Sequence, residues 1–279
     1  MSSFADIPEY VLEIILSNAI SNDFHLKQVV LVCKQWRCVA PRCVTGIHIS
    51  HYESLESVAR LCRLQELKIS PHLYLQPHLD IPEIEFLKDL KHLSCLTSLL
   101  HLDISHTVVE DISPLSRLTS LIHLDMAHSS VDDISPLSCL TSLIHLDMSS
   151  TFVYSDLSPL SCLTSLVHLN MAHINFLTNI SPLSGLTSLV HLDISHIDYK
   201  LEDISPLSRL TSLTHLDISY TSVEDISPLS RLTSLTHLNI SSTYVDNLSP
   251  LSGLTALTHL QSTSKRSIEL AEHSFHWFI

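Results

Sequence analysis

With 279 residues, 45% of them apolar and only 3 glycines, the chain is neither disordered nor collagen-like, and it can hold one large core or a small domain joined to an elongated array. Its formal charge of -14 is uneven: Asp6, Glu9, Glu13 and Asp23 balance Lys27, Lys34, Arg37 and Arg42 within residues 1–45, so the excess acid lies beyond them. Such a surface repels phosphate backbones, which argues against nucleic acid as a partner and for a protein with a basic or polar surface.

In chain order, Met1–Asp6 shows neither the basic n-region nor the apolar h-region of a secretory signal, and no apolar run reaches the roughly 20 residues of a membrane span. The 7 cysteines are an odd number, and those of the N-terminal quarter lack Cys-x-x-Cys spacing, which suits reduced thiols. A soluble, cytoplasmic protein is the expectation. Residues 1–45 read as short helices. Ile7-Pro8 opens the first, Val11, Ile14 and Ile15 share one face, and Asn22-Asp23 marks a turn before the apolar run from Leu26 to Val32. Helices of this length are near the ~40-residue limit below which a core cannot stand alone, so they need the rest of the chain or a partner to cover them. In order and spacing, Ile7-Pro8, Val11, Ile14, Ile15 and Leu16, followed by Val32-Cys33-Lys34-Gln35-Trp36-Arg37, resemble an F-box. Two departures are the isoleucine in place of the leading leucine and the early Pro41-Arg42. The resemblance implies docking onto the Skp-type adaptor of a cullin-RING ubiquitin ligase through Ile7, Pro8, Val11, Ile14 and Ile15. The alternative is a helical cap for the repeats that begin beyond residue 45.

Residues 46–95 read as degenerate repeats and linker. Ile47-His48-Ile49-Ser50 and Leu64–Ser70 each look like a repeat strand, while 71–95 are irregular, with Pro77 and Pro82. From residue 96 to 260 one phrase dominates. Leu-Thr-Ser-Leu starts at Leu96, Leu118, Leu140, Leu163, Leu186, Leu210 and Leu232, and Leu254-Thr255-Ala256-Leu257 closes the series, at spacings of 22 to 24 residues.

The first full unit, 96–117, shows the design. Leu99, Leu102 and Ile104 follow L-x-x-L-x-L, so Leu102 and Ile104 face inward along a short parallel strand while His101, Asp103 and Ser105 face out. Thr107 stands where many such repeats carry an asparagine that satisfies backbone groups as the strand turns away, and Val109 and Ile112 plug the core. Ser113-Pro114 reads as a hydroxyl N-cap followed by proline at the first helical position. Leu115, Leu118 and Leu121 then recur every three residues, as a 3₁₀ or α turn on the convex side would place them. The extra residues of the longer units fall after the strand, at Tyr154-Ser155, Asn175–Thr178 and Tyr199–Leu201. One unit cannot bury its leucines, but stacked units can. The fold expected is therefore α/β: a leucine-rich-repeat solenoid with a curved parallel sheet, preceded by a small helical segment. About 200 residues resemble leucine-rich-repeat proteins, and Asp-Ile-Ser-Pro-Leu-Ser-x-Leu-Thr-Ser-Leu is similar to the repeats of bacterial internalins. That subfamily is secreted, and with no signal read here the likeness extends to the repeat alone. Residues 261–279, with Phe275, Trp277 and Phe278, read as a cap for the last unit, a docking peptide or a tail.

The outward positions form columns. One is all histidine: His101, His123, His145, His168, His191, His215, His237 and His259. Beside it run Asp103, Asp125, Asp147, Asn170, Asp193, Asp217 and Asn239, and His106, His128, His173 and His196 lie at the strand exit. Such a file of imidazoles could be a metal or pH-sensing strip. It could equally be a polar residue copied by recent duplication, which the near-identity of the units favours. The substrate-binding candidates are thus the concave positions from His101 and Asp103 to Asp217 and His237, suited to a basic or amide-rich protein. No glycine-rich phosphate loop occurs, and no constellation stands apart from its repeats as a catalytic site would, so neither an enzyme nor a cofactor is expected.

Overall fold

A computed structural model describes residues 46–49, 65–69, 90–153, 156–174, 177–197 and 201–263. Its ten strands are β1 (Gly46–Ile49), β2 (Glu66–Ile69), β3 (His101–Asp103), β4 (His123–Asp125), β5 (His145–Asp147), β6 (His168–Asn170), β7 (His191–Asp193), β8 (His215–Asp217), β9 (His237–Asn239) and β10 (His259–Gln261). They form a single sheet in strict sequence order, every neighbour parallel. The register is set by the repeat itself, because His pairs with His, Leu with Leu and Asp with Asp from one strand to the next. A slip of one residue would turn the buried leucines out to solvent.

Each unit closes through a 3₁₀ turn of five residues, of which Ser113–Arg117 is typical and Ser249–Gly253 the last among the described residues. The spacing of three among the leucines is the hydrogen-bond spacing. Leu115 N–H donates to the Ile112 carbonyl, Leu118 N–H to Leu115 and Leu121 N–H to Leu118. One core runs the length of the described array. Leu99, Leu102, Ile104, Val109, Ile112 and Leu115 are all 1% exposed or less, and their counterparts repeat this burial until the end of the array, where Leu248 and Leu260 are exposed. The convex turns cover one face of the sheet and leave the other open to solvent.

Two expectations need correction. Ser113 does not cap the turn with its hydroxyl; it is the first residue of the turn, and Ile112 occupies the cap with no side-chain bond. The acceptor is Asp111, whose Oδ1 takes the Ser113 N–H at 2.7 Å. Asp133, Asp156, Asn179, Asp203, Asp225 and Asn247 repeat that bond. The aspartate wins because its carboxylate reaches the N–H two residues on, as in an Asx turn. The second correction concerns residues 71–95. Residues 91–95 form the first regular repeat turn, Lys91–Cys95, with Leu90 and Leu93 fully buried where later units have Ile112 and Leu115. Lys91-His92 stands in place of Ser-Pro, so the leucines alone carry the pattern there.

Thr107 plays the part expected of it. Its buried hydroxyl donates to the Ile104 carbonyl at 2.7 Å, and Ser129, Thr151, Thr221 and Thr243 do likewise. In the two units with the later insertions, Ile174 and Ile197 take that place and are fully buried. Of the insertions, Leu177 and Leu201 are described and fully buried; residues 154–155, 175–176 and 198–200, the segment 1–45 with its F-box-like residues, and 264–279 lie outside the described residues.

Candidate functional site

The open face of the sheet carries the columns expected there. The histidine rings stack on one another along it. Centroids are 4.2 Å apart for His123–His145, His191–His215, His215–His237 and His237–His259, and 4.3 Å for His168–His191. Two steps are wider, 5.6 Å at His101–His123 and 5.5 Å at His145–His168. The file therefore consists of a loose first ring, a pair and a stack of five. The close stacks are tighter than the ~4.8 Å strand spacing, consistent with a sheet that curves toward this face.

The rings are not equivalent on their inner side. Thr214, Thr236 and Thr258 place Oγ1 2.8 to 2.9 Å from Nδ1 of His215, His237 and His259. Each hydroxyl also reaches a backbone carbonyl of the preceding unit, at Val190, Thr214 and Thr236 respectively. In the earlier units the residue before the histidine is Leu100, Ile122, Ile144, Val167 or Val190, which offers no such partner. There Nδ1 of His145 and His191 is buried without a hydrogen bond. Burial above all, then the charge of His101, holds the His123 ring below its ordinary pKa; burial, then His123 and His168, does so for His145. Burial, followed by their file neighbours, also lowers His191 and His215.

The carboxylate column is less free than the sequence implied. Each Oδ1 first serves its own chain, accepting the N–H two residues on, from Ser105 to Asp103, Ala127 to Asp125, Ser149 to Asp147, Ser195 to Asp193 and Ser219 to Asp217. Asn170 and Asn239 make the same turn bond and donate Nδ2 across the sheet to Oδ2 of Asp147 and Asp217 at 2.8 Å. Lys68 of β2 forms an ion pair with Asp103. Asp103 lies below the usual carboxylate range: burial pushes it up, but the Lys68 and Ser105 bonds outweigh that. Burial, then the neighbouring carboxylates, raises Asp125; burial raises Asp193 too, against its Ser195 bonds and with Asp217 and Asp147 adding to the rise. Between the two columns the buried Leu169, Leu192, Leu216 and Leu238 floor a groove of about 410 Å³ running from β5 to β10.

The exit ladder hides a feature the sequence did not show. His106, His128, Ser150, His173, His196, Tyr220 and Ser242 all have φ between 53 and 59°, the left-handed region, with no glycine among them. The conformation is held because each N–H bonds to the next unit, as His106 does to the Ala127 carbonyl. It also stacks the rings, His106 on His128 at 4.5 Å, His173 on His196 at 4.2 Å and His196 on Tyr220 at 4.1 Å.

Among the described residues no group of three or more His, Cys, Asp or Glu is placed to hold a metal ion. Stacked rings aim their nitrogens side by side and do not converge them on one point. No helix among the described residues is long and apolar enough to cross a membrane.

A sheet of in-register three-residue strands, closed by leucine-lined 3₁₀ turns, defines a leucine-rich-repeat solenoid. The family profile for leucine-rich repeats (2 copies) matches residues 211–253. Internalin C2 of Listeria monocytogenes is 30% identical, with 62% of this chain and 74% of that one covered and a TM-score of 0.57. The chain belongs to the leucine-rich-repeat family. Internalin F of the same bacterium aligns over 94% of this chain and 74% of its own, at 26% identity and a TM-score of 0.66. The ectodomain of an Arabidopsis thaliana membrane receptor kinase, in complex with Casparian strip integrity factor 2, shares the fold at 17% identity. It has a TM-score of 0.59 over 78% of this chain and 26% of that one. No curated protein sequence matches the chain.

Proposed function

We propose that this chain is a recognition solenoid that binds a protein partner with a basic surface on its concave face and performs no chemistry itself. The observation that carries the reading is the carboxylate file, Asp103, Asp125, Asp147, Asp193 and Asp217, set along an open sheet beside a half-buried histidine file. Lys68 on Asp103 and the amides on Asp147 and Asp217 illustrate the donors this column accepts. Folds of this kind bind protein partners, and the similar plant ectodomain was solved with one. The test is quantitative binding of captured partners to wild type and to Asp125→Asn with Asp193→Asn. Asparagine already fills the same turn position at 170 and 239, so the fold is preserved while charge is lost. A basic partner binds the variant at least about tenfold more weakly at low salt.

A finer reading makes the solenoid the substrate-selecting half of a ubiquitin-ligase adaptor, with Ile7, Pro8, Val11, Ile14 and Ile15 docking a Skp-type protein and a cullin core beyond it. It is supported by the order and spacing of residues 7–37 and by their position ahead of the repeats. Co-purification with the Skp-type adaptor tests it. Loss of capture in Ile7→Asp with Ile14→Asp supports docking, whereas no capture by wild type leaves the plain binding solenoid.

A further inference from the structure

The two files on the concave face carry opposite chemistry at a fixed separation. On every strand from β3 to β8, imidazole and carboxylate (or amide) are two residues apart with a buried leucine between, roughly 6.6 Å along the strand. The residues preceding the histidines, from Leu100 to Thr258, bring no charge to the file. The groups facing the rings are therefore the other rings, the carboxylates beside them and Glu66, which stands in the file on β2 in register with His101. Asp103, Asp125 and Asp147 draw a proton toward His123, and Asp147 toward His145, while Lys68 is engaged at the far end on Asp103.

We propose that the histidine file makes occupancy of the concave face proton-dependent, with alternate imidazoles charging as the pH falls and so displacing a cationic partner from the carboxylates beside them. The inference rests on the reading that the partner is basic. Alternation arises from the stacking, because neighbours 4.2 Å apart repel when both are charged. Which members charge is decided on the inner side. A protonated His215, His237 or His259 donates Nδ1–H to its threonine hydroxyl, which turns its own hydrogen to the carbonyl of the preceding unit. A proton on Nδ1 of His145 or His191 would be sealed in without an acceptor. In the stack of five, the pattern that spares His191 and charges no neighbours puts protons on His168, His215 and His259; in the pair it chooses His123 over His145. Positive charge then stands beside Asp125 on β4 and Asp217 on β8, and His168, whose own strand carries Asn170, lies one strand away from both Asp147 and Asp193.

The experiment uses the full chain and two readouts. Imidazole nitrogen NMR, tracked from about pH 8 to pH 5, resolves the order of protonation. His145 and His191 stay neutral to the lowest pH. Titration of all rings together near the ordinary histidine value overturns the inference. In parallel, decalysine is the binding probe, measured calorimetrically at low salt. Binding at about pH 7.5 that weakens at least about tenfold at about pH 5.5 supports it. The ratio of the two affinities moves toward one in His168→Gln/His215→Gln/His259→Gln, and also in Thr214→Val/Thr236→Val/Thr258→Val. Equal binding at the two pH values overturns the proton control alone. Failure of decalysine to bind at about pH 7.5 overturns the reading of a face for cations, and the control with it.

Discussion

Replacing Asp125 and Asp193 together by asparagine stabilises the protein. Both carboxylates face like charges in register on a neighbouring strand, Asp125 against Asp103 and Asp147, and Asp193 against Asp217. At the ~4.8 Å strand spacing two unit charges repel by about 0.9 kcal/mol in bulk water and by several times that at a protein surface, before screening. Like charges directly opposite on a sheet cost roughly 0.2–1 kcal/mol in practice, so the double variant gains on the order of 1 kcal/mol. Asparagine keeps the Oδ1 that accepts the N–H of Ala127 or Ser195, so the turn is not lost. The sign with pH is set by the raised carboxyls. A group whose folded-state pKa is raised favours folding when protonated, and that contribution is lost as pH rises through the folded value. The advantage of the variant is therefore largest near neutrality and fades toward about pH 3.5. Urea denaturation at low salt, repeated at about 1 M salt and in acid, measures it. A variant less stable than wild type at neutral pH would refute this account of the column.

Three other outcomes rest on the same geometry. Wild-type stability falls as pH drops below about 6.5, because His123, His145, His191 and His215 are depressed in the folded state and the unfolded chain takes up their protons first. Thermal melts across pH 5–8 show a slope that His145→Gln with His191→Gln reduces. Leu146→Ala, at a fully buried mid-array position, costs about 2–5 kcal/mol, while Leu260→Ala on β10, where the leucine is 42% exposed, costs well under half as much. Equal losses in urea titration would contradict a core that runs continuously through the array. Ser150→Gly removes the Cβ from a left-handed residue at φ 54° and raises stability by up to about 1 kcal/mol; a lower melting temperature would show that no strain is stored there.

Much of the solenoid is legible directly, because a repeat fixes register. Once Leu102 is inward, its column is inward in every unit, and spacing by three at Leu115, Leu118 and Leu121 already names the 3₁₀ turn. The cap is easily misassigned because Ser-Pro is a strong local signal, whereas Asp111 acts from two residues earlier. Its own column, Asp or Asn two residues before every Ser-Pro, is nonetheless plain in the sequence. The turn at Lys91–Cys95 is hidden by the loss of Ser-Pro. The left-handed backbone at His106 and its counterparts has no glycine to announce it and depends on hydrogen bonds between units. For the site, the sequence places the columns but not their inner sides. That Thr214 touches Nδ1 of its neighbour while Val190 leaves His191 sealed is decided by packing over the preceding strand. The role of Asp125 in its own turn is equally invisible to a reading that sees only an outward carboxylate. Residues 7–37, which carry the F-box resemblance, lie outside the described structure and stand on their sequence pattern.

The central claim is that the concave carboxylate face selects a basic protein. The most direct measurement is affinity purification with quantitative mass spectrometry on three forms of the full chain. These are wild type, Asp125→Asn/Asp147→Asn/Asp193→Asn on the concave face, and Asp133→Asn/Asp203→Asn/Asp225→Asn at the exposed convex turns, which carry the same change in net charge. Direct binding of each purified partner to each form completes it. The account predicts partners with basic surfaces that are lost from the concave variant and kept by the convex one. Partners retained equally by both, or lost only from the convex variant, would contradict it.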